Sequence, residues 1–334
     1  AEPYIIDGRH HKITASSGVT LYPGDDGDVD ALLRHADQAM YEAKLAGKNT
    51  HHLFNPELDR RTIKKRQQIE RIGQALKNNE FSLYYQPKVN MVTGEVLGAE
   101  ALIRWIDPEK GLIPPLDFLP LIEESDLDIK IGEWVVNQAV KQLEAWAGLG
   151  ISLELSINIS SHHLLSINFF DQLETALAEH PVAAPSCLQL EILESSALGD
   201  LNIINNVIKC CQNTLGVNIA LDDFGTGYSS LTHLRNLAAD TIKIDQSFVR
   251  DVLDDPSDYA IIAGIIGLSD AFDRDMIAEG VETTDHGLML MLMGCDKVQG
   301  YGVAKPMPAN DFPQWLERYE PNQEWLLYGS KQRS

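Results

Sequence analysis

With 334 residues and 44% apolar side chains, the chain is long enough for one barrel-sized domain plus an appendage, and this composition excludes intrinsic disorder. Its formal charge of −22, from 49 acidic against 27 basic residues, argues against a non-specific nucleic-acid binder, which needs the reverse balance. The acidity serves solubility, or it marks carboxylates gathered around divalent cations, and only the motifs can decide.

In chain order, 12–22 reads as a strand closed by the turn Pro23-Gly24-Asp25-Asp26-Gly27. A helix is predicted over 29–45, with Leu32, Leu33, Ala36, Met40 and Ala43 on one stripe and Gly47 just past its end. This piece is too small to build a core of its own, so it reads as the tail of a larger domain. The stretch 57–79 is a charged helix. Its basic half could meet an anionic partner, but a solvated linker is the simpler reading.

From Phe81 the pattern changes to strand–helix alternation. Apolar runs at 81–88, 95–105, 151–159, 187–193, 217–222, 241–245, 275–279 and 295–299 read as strands. From the second strand onward they are separated by helical stretches such as 117–148, 200–215, 256–272 and 283–293. Eight strands in this order predict an α/β fold, a (β/α)₈ TIM-like barrel, plus a small α+β N-terminal fragment. The first two strands are joined only by about 90–94, too short for a parallel crossover, so the first strand is predicted to be antiparallel.

Cys187, Cys210, Cys211 and Cys295 form no Cys-x-x-Cys and no zinc spacing, which predicts free thiols in a reducing, cytoplasmic compartment. The longest apolar run, 259–268, is too short to span a bilayer and is closed by Asp270. The chain shows no signal peptide, and a membrane anchor elsewhere in a longer parent stays open. The tandem pairs His51-His52 and His162-His163 lack a further ligand and read as surface or helix-start residues.

A barrel enzyme carries its chemistry at the C-terminal ends of its strands. Polar residues gather there in this sequence: Glu100 and Arg104, Asn158, Glu191, Asp222 and Asp223, Lys243 and Asp245, Glu279, and Gln299. Converging carboxylates repel one another unless cations lie between them, and an all-oxygen ligand set favours Mg²⁺ or Mn²⁺ over Zn²⁺. Two adjacent carboxylates such as Asp222-Asp223 can serve two metals roughly 3.5–4 Å apart, the arrangement used for in-line displacement at phosphorus. The loop 224–230 after them is glycine-rich, either a phosphate cradle or, more simply, a tight turn.

Glu100-Ala101-Leu102 with Ile103-Arg104-Trp105 resembles the signature of EAL-type cyclic di-GMP phosphodiesterases. The resemblance extends through Tyr85-Gln86-Pro87-Lys88, 156–160, 190–195, 221–231, 242–245, 278–282 and 299–301, all in family order across about residues 68–320. It implies hydrolysis of cyclic di-GMP to linear 5′-pGpG by a two-metal mechanism, which lowers the messenger in biofilm and motility signalling. It also implies ligand sets: Glu100, Asn158, Glu191 and Asp222 for one Mg²⁺ or Mn²⁺, and Asp222, Asp223 and Glu279 for a second. Lys243 resembles the residue that orients the attacking water, with Asp245 close by, and Glu279 is the alternative general base. Arg104 resembles the phosphate holder, and Gln86, Leu102, Gln299 and Pro306 match positions around the dinucleotide. Glu194 resembles the carboxylate that pins the 222–230 loop, which is implied to couple the metal site to a homodimer interface of the barrel.

Segments 14–19, 36–44 and 47–49 are similar to the last part of a GGDEF domain, the family that makes cyclic di-GMP. The catalytic loop is absent, so no cyclase activity is expected, and the chain reads as a fragment of a longer tandem protein with upstream sensory or cyclase-like domains. The expected organisation is 1–55 GGDEF-like fragment, 56–79 linker helix, 80–320 barrel and 321–334 tail. Leu193 in place of a usual Thr, and the small residues Gly302-Val303-Ala304, depart from the family pattern without removing a ligand. Two rivals remain: a catalytically inactive cyclic di-GMP receptor of the same fold, and an unrelated barrel nuclease, which the acidic balance disfavours because no nucleic-acid polymer suits it.

Overall fold

Two units make up the chain, Ala1–Ile72 and Gly73–Ser334. The computed structural model describes residues 4–7, 9–11, 14–194, 201–227 and 237–332. In the first unit β1 (Tyr4–Ile6) pairs antiparallel with β2 (Arg9–His11), and β3 (Ser17–Val19) pairs parallel with β4 (His51–Leu53). The strand expected over 12–22 is therefore short. The chain turns away after Val19, where Thr20 Oγ1 donates to the buried Asp25 Oδ2 at 2.6 Å.

The helix Val29–Leu45 starts on Asp28, whose carboxylate accepts from Ala31 N. It buries Ala39 and Ala43, and a Cβ at Gly18 would sit 1.9 Å from Ala36 O, so strand and helix touch backbone to backbone. Leu33 is exposed, against the expected stripe, because the buried line runs through Ala39 and Ala43 and Leu33 lies off it. His51 and His52 occupy an exposed strand, not a helix start. The helix Pro56–Lys77 is exposed along most of its length, as a solvated helix should be, and the unit boundary falls within it.

The second unit closes a barrel from β5 (Phe81–Asn90), β6 (Val96–Asp107), then, past the edge strand β7 (Gly111–Ile113), β8 (Glu154–Asn158), β9 (Leu188–Leu193), β10 (Asn218–Phe224), β11 (Thr241–Ile244), β12 (Asp275–Ala278) and β13 (Lys297–Gln299). β13 pairs back onto β5, and β14 (Met307–Pro308) extends β5 at the edge. β6 and β8 to β13 run parallel, while β5 is antiparallel to both neighbours, as the short connection predicts. That connection is a tight turn in which Asn90 Oδ1 accepts from Val92 N and Thr93 N, and Gly94 takes φ +75.

The helix expected over 117–148 is interrupted. Glu124 adopts φ 57 and Ser125 caps a new helix, Asp126–Gly148, through Leu127 N. The stretch expected over 200–215 begins, within the described residues, as Leu201–Cys210 and ends in a wide turn before Gly216 at φ 75. The expected tail carries a further helix, Gln323–Gln332, whose Trp325 Nε1 donates to Thr284 O at 3.0 Å. Aromatic rings bind the helices to the barrel wall, with Tyr85, Trp146 and Phe312 in mutual contact. All four cysteines are free thiols, and among the described residues no helix is long and apolar enough to cross a membrane.

Candidate active site

Lys243, on β11, points into the barrel and is fully buried. Its Nζ lies 2.6 Å from Glu191 Oε2, 3.0 Å from Asp222 Oδ1, 2.5 Å from Glu279 Oε1 and 3.8 Å from Glu100 Oε2. These partners come from the first half of the long β6, the later parts of β9 and β10 and the residue after β12, and the register of the parallel strands brings them together. Glu100 is fixed from both sides: Asn158 Nδ2 donates to its Oε1 at 2.7 Å and Gln299 Nε2 to its Oε2 at 2.6 Å.

Two groups of carboxylates have oxygens close enough to share an ion: Glu100, Glu191 and Asp222, and Asp222, Asp223 and Glu279. Asp222 belongs to both. Asp223 joins because β10 bulges against β11 between Leu221 and Phe224, and Asp223 takes φ 53. Asp222 Oδ1 accepts from Asp223 N at 3.0 Å, which steadies the turn.

The charges do not balance. Four carboxylates face one ammonium, and buried ions cost several kcal/mol each unless paired. Burial, then Glu100 and Asp222, pushes Glu191 up to about 8 against the pull of Lys243. Burial, then Asp222 and Asp245, pushes Asp223 up to about 7. Burial, then Asp222, Glu100 and Glu191, also holds Glu279 well above the ordinary carboxylate range, again against Lys243. Burial alone would lower Lys243, but the surrounding carboxylates outweigh it and hold the ammonium charged. Glu100 is lowered despite burial, by Lys243 and by its two amide donors. Glu191 Oε1 is buried without a hydrogen-bond partner. An orphaned carboxylate oxygen amid repelling carboxylates fits a hard divalent cation with oxygen ligands.

Beside this cluster is a cavity of about 300 Å³. The expected substrate residues Gln86, Leu102, Arg104, Gln299 and Pro306 all line it. Gln299 Nε2 donates to Gln86 Oε1 at 3.1 Å and Gln86 Nε2 to Ala304 O at 3.1 Å, so one amide chain runs from Glu100 along the cavity. Arg104 is the cavity's cation, anchored on Ile103 O at 2.9 Å and lying over the Tyr84 ring. Sequence reasoning missed Gln246, Glu282 and Tyr301 in this lining. Each follows a strand that ends in a singled-out residue, and that position was the available signal.

Two expected residues sit around the cluster. Asp245 caps the helix Gln246–Asp251 by accepting from Ser247 N at 3.0 Å, and it neighbours Asp223. Glu194 is buried, and its Oε2 accepts from Gly225 N at 2.8 Å, holding the start of the 222–230 loop. Residues 228–230 of that loop lie outside the described residues. Below the carboxylates, at the opposite end of the barrel, the buried Lys88 Nζ donates to Glu154 Oε1 at 2.8 Å and Ser156 Oγ at 2.5 Å. Gln189 Oε1 accepts from Ser156 Oγ at 2.7 Å, so the barrel floor is polar and paired.

Residues 69–306 match the EAL domain family, and residues 1–50 match the diguanylate cyclase, GGDEF domain family. The chain is 38% identical over 310 residues to the bifunctional diguanylate cyclase/cyclic di-GMP phosphodiesterase MucR of Pseudomonas aeruginosa, covering 92% of this chain and 45% of that protein. It is 38% identical over 307 residues to the cyclic di-GMP phosphodiesterase PdeR of Escherichia coli K12, covering 92% of this chain and 46% of that protein. It thus spans about half the length of these curated relatives. Among solved structures, a MucR phosphodiesterase in complex with c-di-GMP superposes with a TM-score of 0.71 at 38% identity, covering 74% of this chain and 99% of that one. Through the barrel built by residues 69–306, this chain belongs to the EAL domain family.

Proposed function

We propose that this chain hydrolyses cyclic di-GMP to linear 5′-pGpG, with two Mg²⁺ or Mn²⁺ ions held at the barrel mouth. The observation that carries this reading is Asp222, shared by two carboxylate clusters that meet at the buried Lys243. The names of MucR and PdeR, and the c-di-GMP complex of MucR, support the choice of substrate.

Glu100, Asn158, Glu191 and Asp222 would hold one ion, and Asp222, Asp223 and Glu279 the second. Bound there, such ions would neutralise the substrate phosphate and favour loss of a proton from water near neutral pH. The protein does the rest. Arg104 binds a phosphate oxygen from the cavity wall. Gln86, Leu102, Gln299 and Pro306 place the dinucleotide, with the amide chain keeping Glu100 still. Lys243 orients the attacking water, and Glu279, 2.5 Å from Lys243, takes its proton. Water oxygen attacks phosphorus in line, one P–O bond breaks, and the departing ribose oxygen gains a proton. The product keeps a 5′-phosphate and a free 3′-hydroxyl. Glu194 holds Gly225 and so keeps Asp222 and Asp223 in place, while Asp245 braces Asp223 from the next strand.

The same reading includes a homodimer through the barrel, a cytoplasmic site of action and a longer parent protein whose upstream domains govern this one. Within it, the barrel domain is 80–320, preceded by the linker helix and followed by the tail. The test is chromatographic product analysis after incubation with cyclic di-GMP in Mg²⁺, in Mn²⁺ and in chelator. Metal-dependent pGpG is expected. Substrate bound in the presence of metal yet left intact would replace the enzyme with a receptor.

A further inference from the structure

Beneath the carboxylates, on the same inward faces of the strands, lies a second polar layer. Side chains two apart on a strand share a face. Ser156 precedes Asn158 by two positions on β8, Gln189 precedes Glu191 on β9, and Thr241 precedes Lys243 on β11. On the antiparallel β5 the order reverses, and Lys88 follows Gln86. Barrel interiors are filled mainly by branched apolar side chains, so a polar layer there calls for a reason. Lys88, Ser156 and Gln189 are 3%, 0% and 3% exposed, so water does not supply one.

Gln189 is the hub of this layer. Its Oε1 accepts from Ser156 Oγ at 2.7 Å and from Lys88 Nζ at 3.3 Å. Its Nε2 donates to Glu154 Oε2 at 3.2 Å and to Thr241 Oγ1 at 3.3 Å. One uncharged amide thus joins β5, β8, β9 and β11. Two of these links skip a strand. β10 lies between β9 and β11, and at the matching position it presents only the methyl group of Ala220. β6 lies between β5 and β8, and there Gly98, opposite Lys88, presents no side chain at all. The layer therefore ties together strands that share no backbone ladder, and it sets their heights against one another.

Height matters to what stands above. Two residues along a strand are only about 6.6 Å, and a metal ligand must be placed to within about 0.2 Å. Asn158 and Glu191, two of the four residues assigned to the first ion, stand directly above Ser156 and Gln189. Asp222, Asp223 and Glu279, assigned to the second ion, come from β10 and from the end of β12, where the layer holds Ala220 and Ile277. β10 touches the network through Asn218, at its far end, 3.4 Å from Glu154 Oε2.

We propose that Gln189 is a positioning residue for the first ion. By holding β8, β9 and β11 at fixed heights it places Asn158, Glu191 and Lys243, and it touches neither ion nor substrate. The proposal rests on the two-ion reading above.

Calorimetric titration of the metal-free chain with Mn²⁺ alone tests this. Gln189→Met keeps the volume and changes no charge, so its effect on a cation is geometric. Two ions are expected on the native chain. Gln189→Met should weaken one of them about tenfold, the low end of what losing a ligand's support costs, and leave the other within about twofold. Adding Asn158→Ala should still spare the second ion, whereas adding Asp223→Asn should leave both weak. Ser156→Ala breaks the same network should Gln189→Met fail to fold, and should show the same selective loss. Ser156→Thr retains the hydroxyl and should bind as the native chain does. A merely structural role would lower the melting temperature without choosing between the ions. Two Mn²⁺ on the native chain, with both weakened alike or neither weakened in the variants, would overturn this proposal alone. Fewer than two Mn²⁺ on the native chain would overturn the two-ion reading, and this proposal with it.

Discussion

Asp222 and Asp223 are consecutive residues, yet their carboxylates reach the same cluster. Neighbours on a regular strand face opposite ways. Here the register of β10 against β11 shifts at this point and Asp223 adopts φ 53, a left-handed conformation that short polar side chains tolerate. The bulge brings two consecutive carboxylates of one strand end into a single cluster, where both could hold an ion.

This arrangement ranks the two residues. Asp222 belongs to both carboxylate groups and Asp223 to one. Asp222→Asn should lower metal-dependent turnover at least about 100-fold, above the 10–100-fold common for mere neighbours of a ligand. Asp223→Asn should cost less, and Mn²⁺ titration should find two weakened sites in the first variant against one in the second. Equal, mild losses would mean that Asp222 bridges nothing.

The raised carboxyls predict how the metal-free protein responds to pH. Glu191 is pushed up to about 8 from 4.5, and Asp223 up to about 7 from 3.8. Between the unfolded and folded values each binds more protons when folded, so unfolding free energy falls as pH rises through that window. Glu100 has the opposite sign, but its lowered value confines its effect to below 4.5. In chelator, the melting temperature should therefore decline from about pH 4.5 to 8, and Mg²⁺ or Mn²⁺ should restore it increasingly toward pH 8. A metal-induced shift that shrinks as pH rises would place the ion elsewhere.

Glu194 offers a different kind of test, because it touches backbone. Its Oε2 accepts from Gly225 N, and Gly225 has φ +101, so the turn after Asp223 depends on both. Gln retains an acceptor oxygen and Ala does not. Glu194→Gln should thus stay within about 10-fold of native turnover, while Glu194→Ala removes a hydrogen bond to a charged acceptor, worth about 1.5–3 kcal/mol, and loses more. Metal affinity measured beside turnover separates a displaced ligand pair from a displaced loop. If Gln and Ala behave alike, the hydrogen bond is not what positions the loop.

Much of this was legible before any coordinates, for a physical reason. Polar residues at the ends of apolar strands have no bland explanation in a barrel, so Glu100, Asn158, Glu191, Asp222, Lys243 and Glu279 declared themselves. The short link at 90–94 fixed the direction of β5 in the same way. What stayed hidden depends on contacts between distant segments. The bulge at Asp223 is set by the neighbouring strand. The burial of His163 is set by the missing side chain of Gly132, on another helix. The break before Ser125 was marked in the sequence by the four polar residues Glu123-Glu124-Ser125-Asp126, a cap signal that the reading as one long helix passes over. Tyr301 reaches the cavity from a turn and Gln246 from the first position of a short helix, where periodicity carries no signal.

Lys243 and Glu279 are alternatives for activating water, and with Nζ 2.5 Å from Oε1 we predict that they act as one unit. Each sets the charge state of the other: the ammonium opposes the upward push on Glu279, and Glu279 is among the carboxylates that hold Lys243 charged. Removing either leaves the other buried without its closest counter-charge, a loss worth about 3–5 kcal/mol when a buried pair is broken. Where a loss of that size falls on the transition state, Lys243→Met and Glu279→Gln should each lower kcat by roughly 150- to 5,000-fold, since 1.36 kcal/mol is tenfold. The double variant should lose little beyond the worse single one, as groups acting as a unit do. Two independent steps, one run by each residue, would instead multiply the losses. A double-mutant cycle on kcat decides between them. Additivity within the usual few tenths of a kcal/mol would mean that the two residues act independently and that their contact has no part in activating the water.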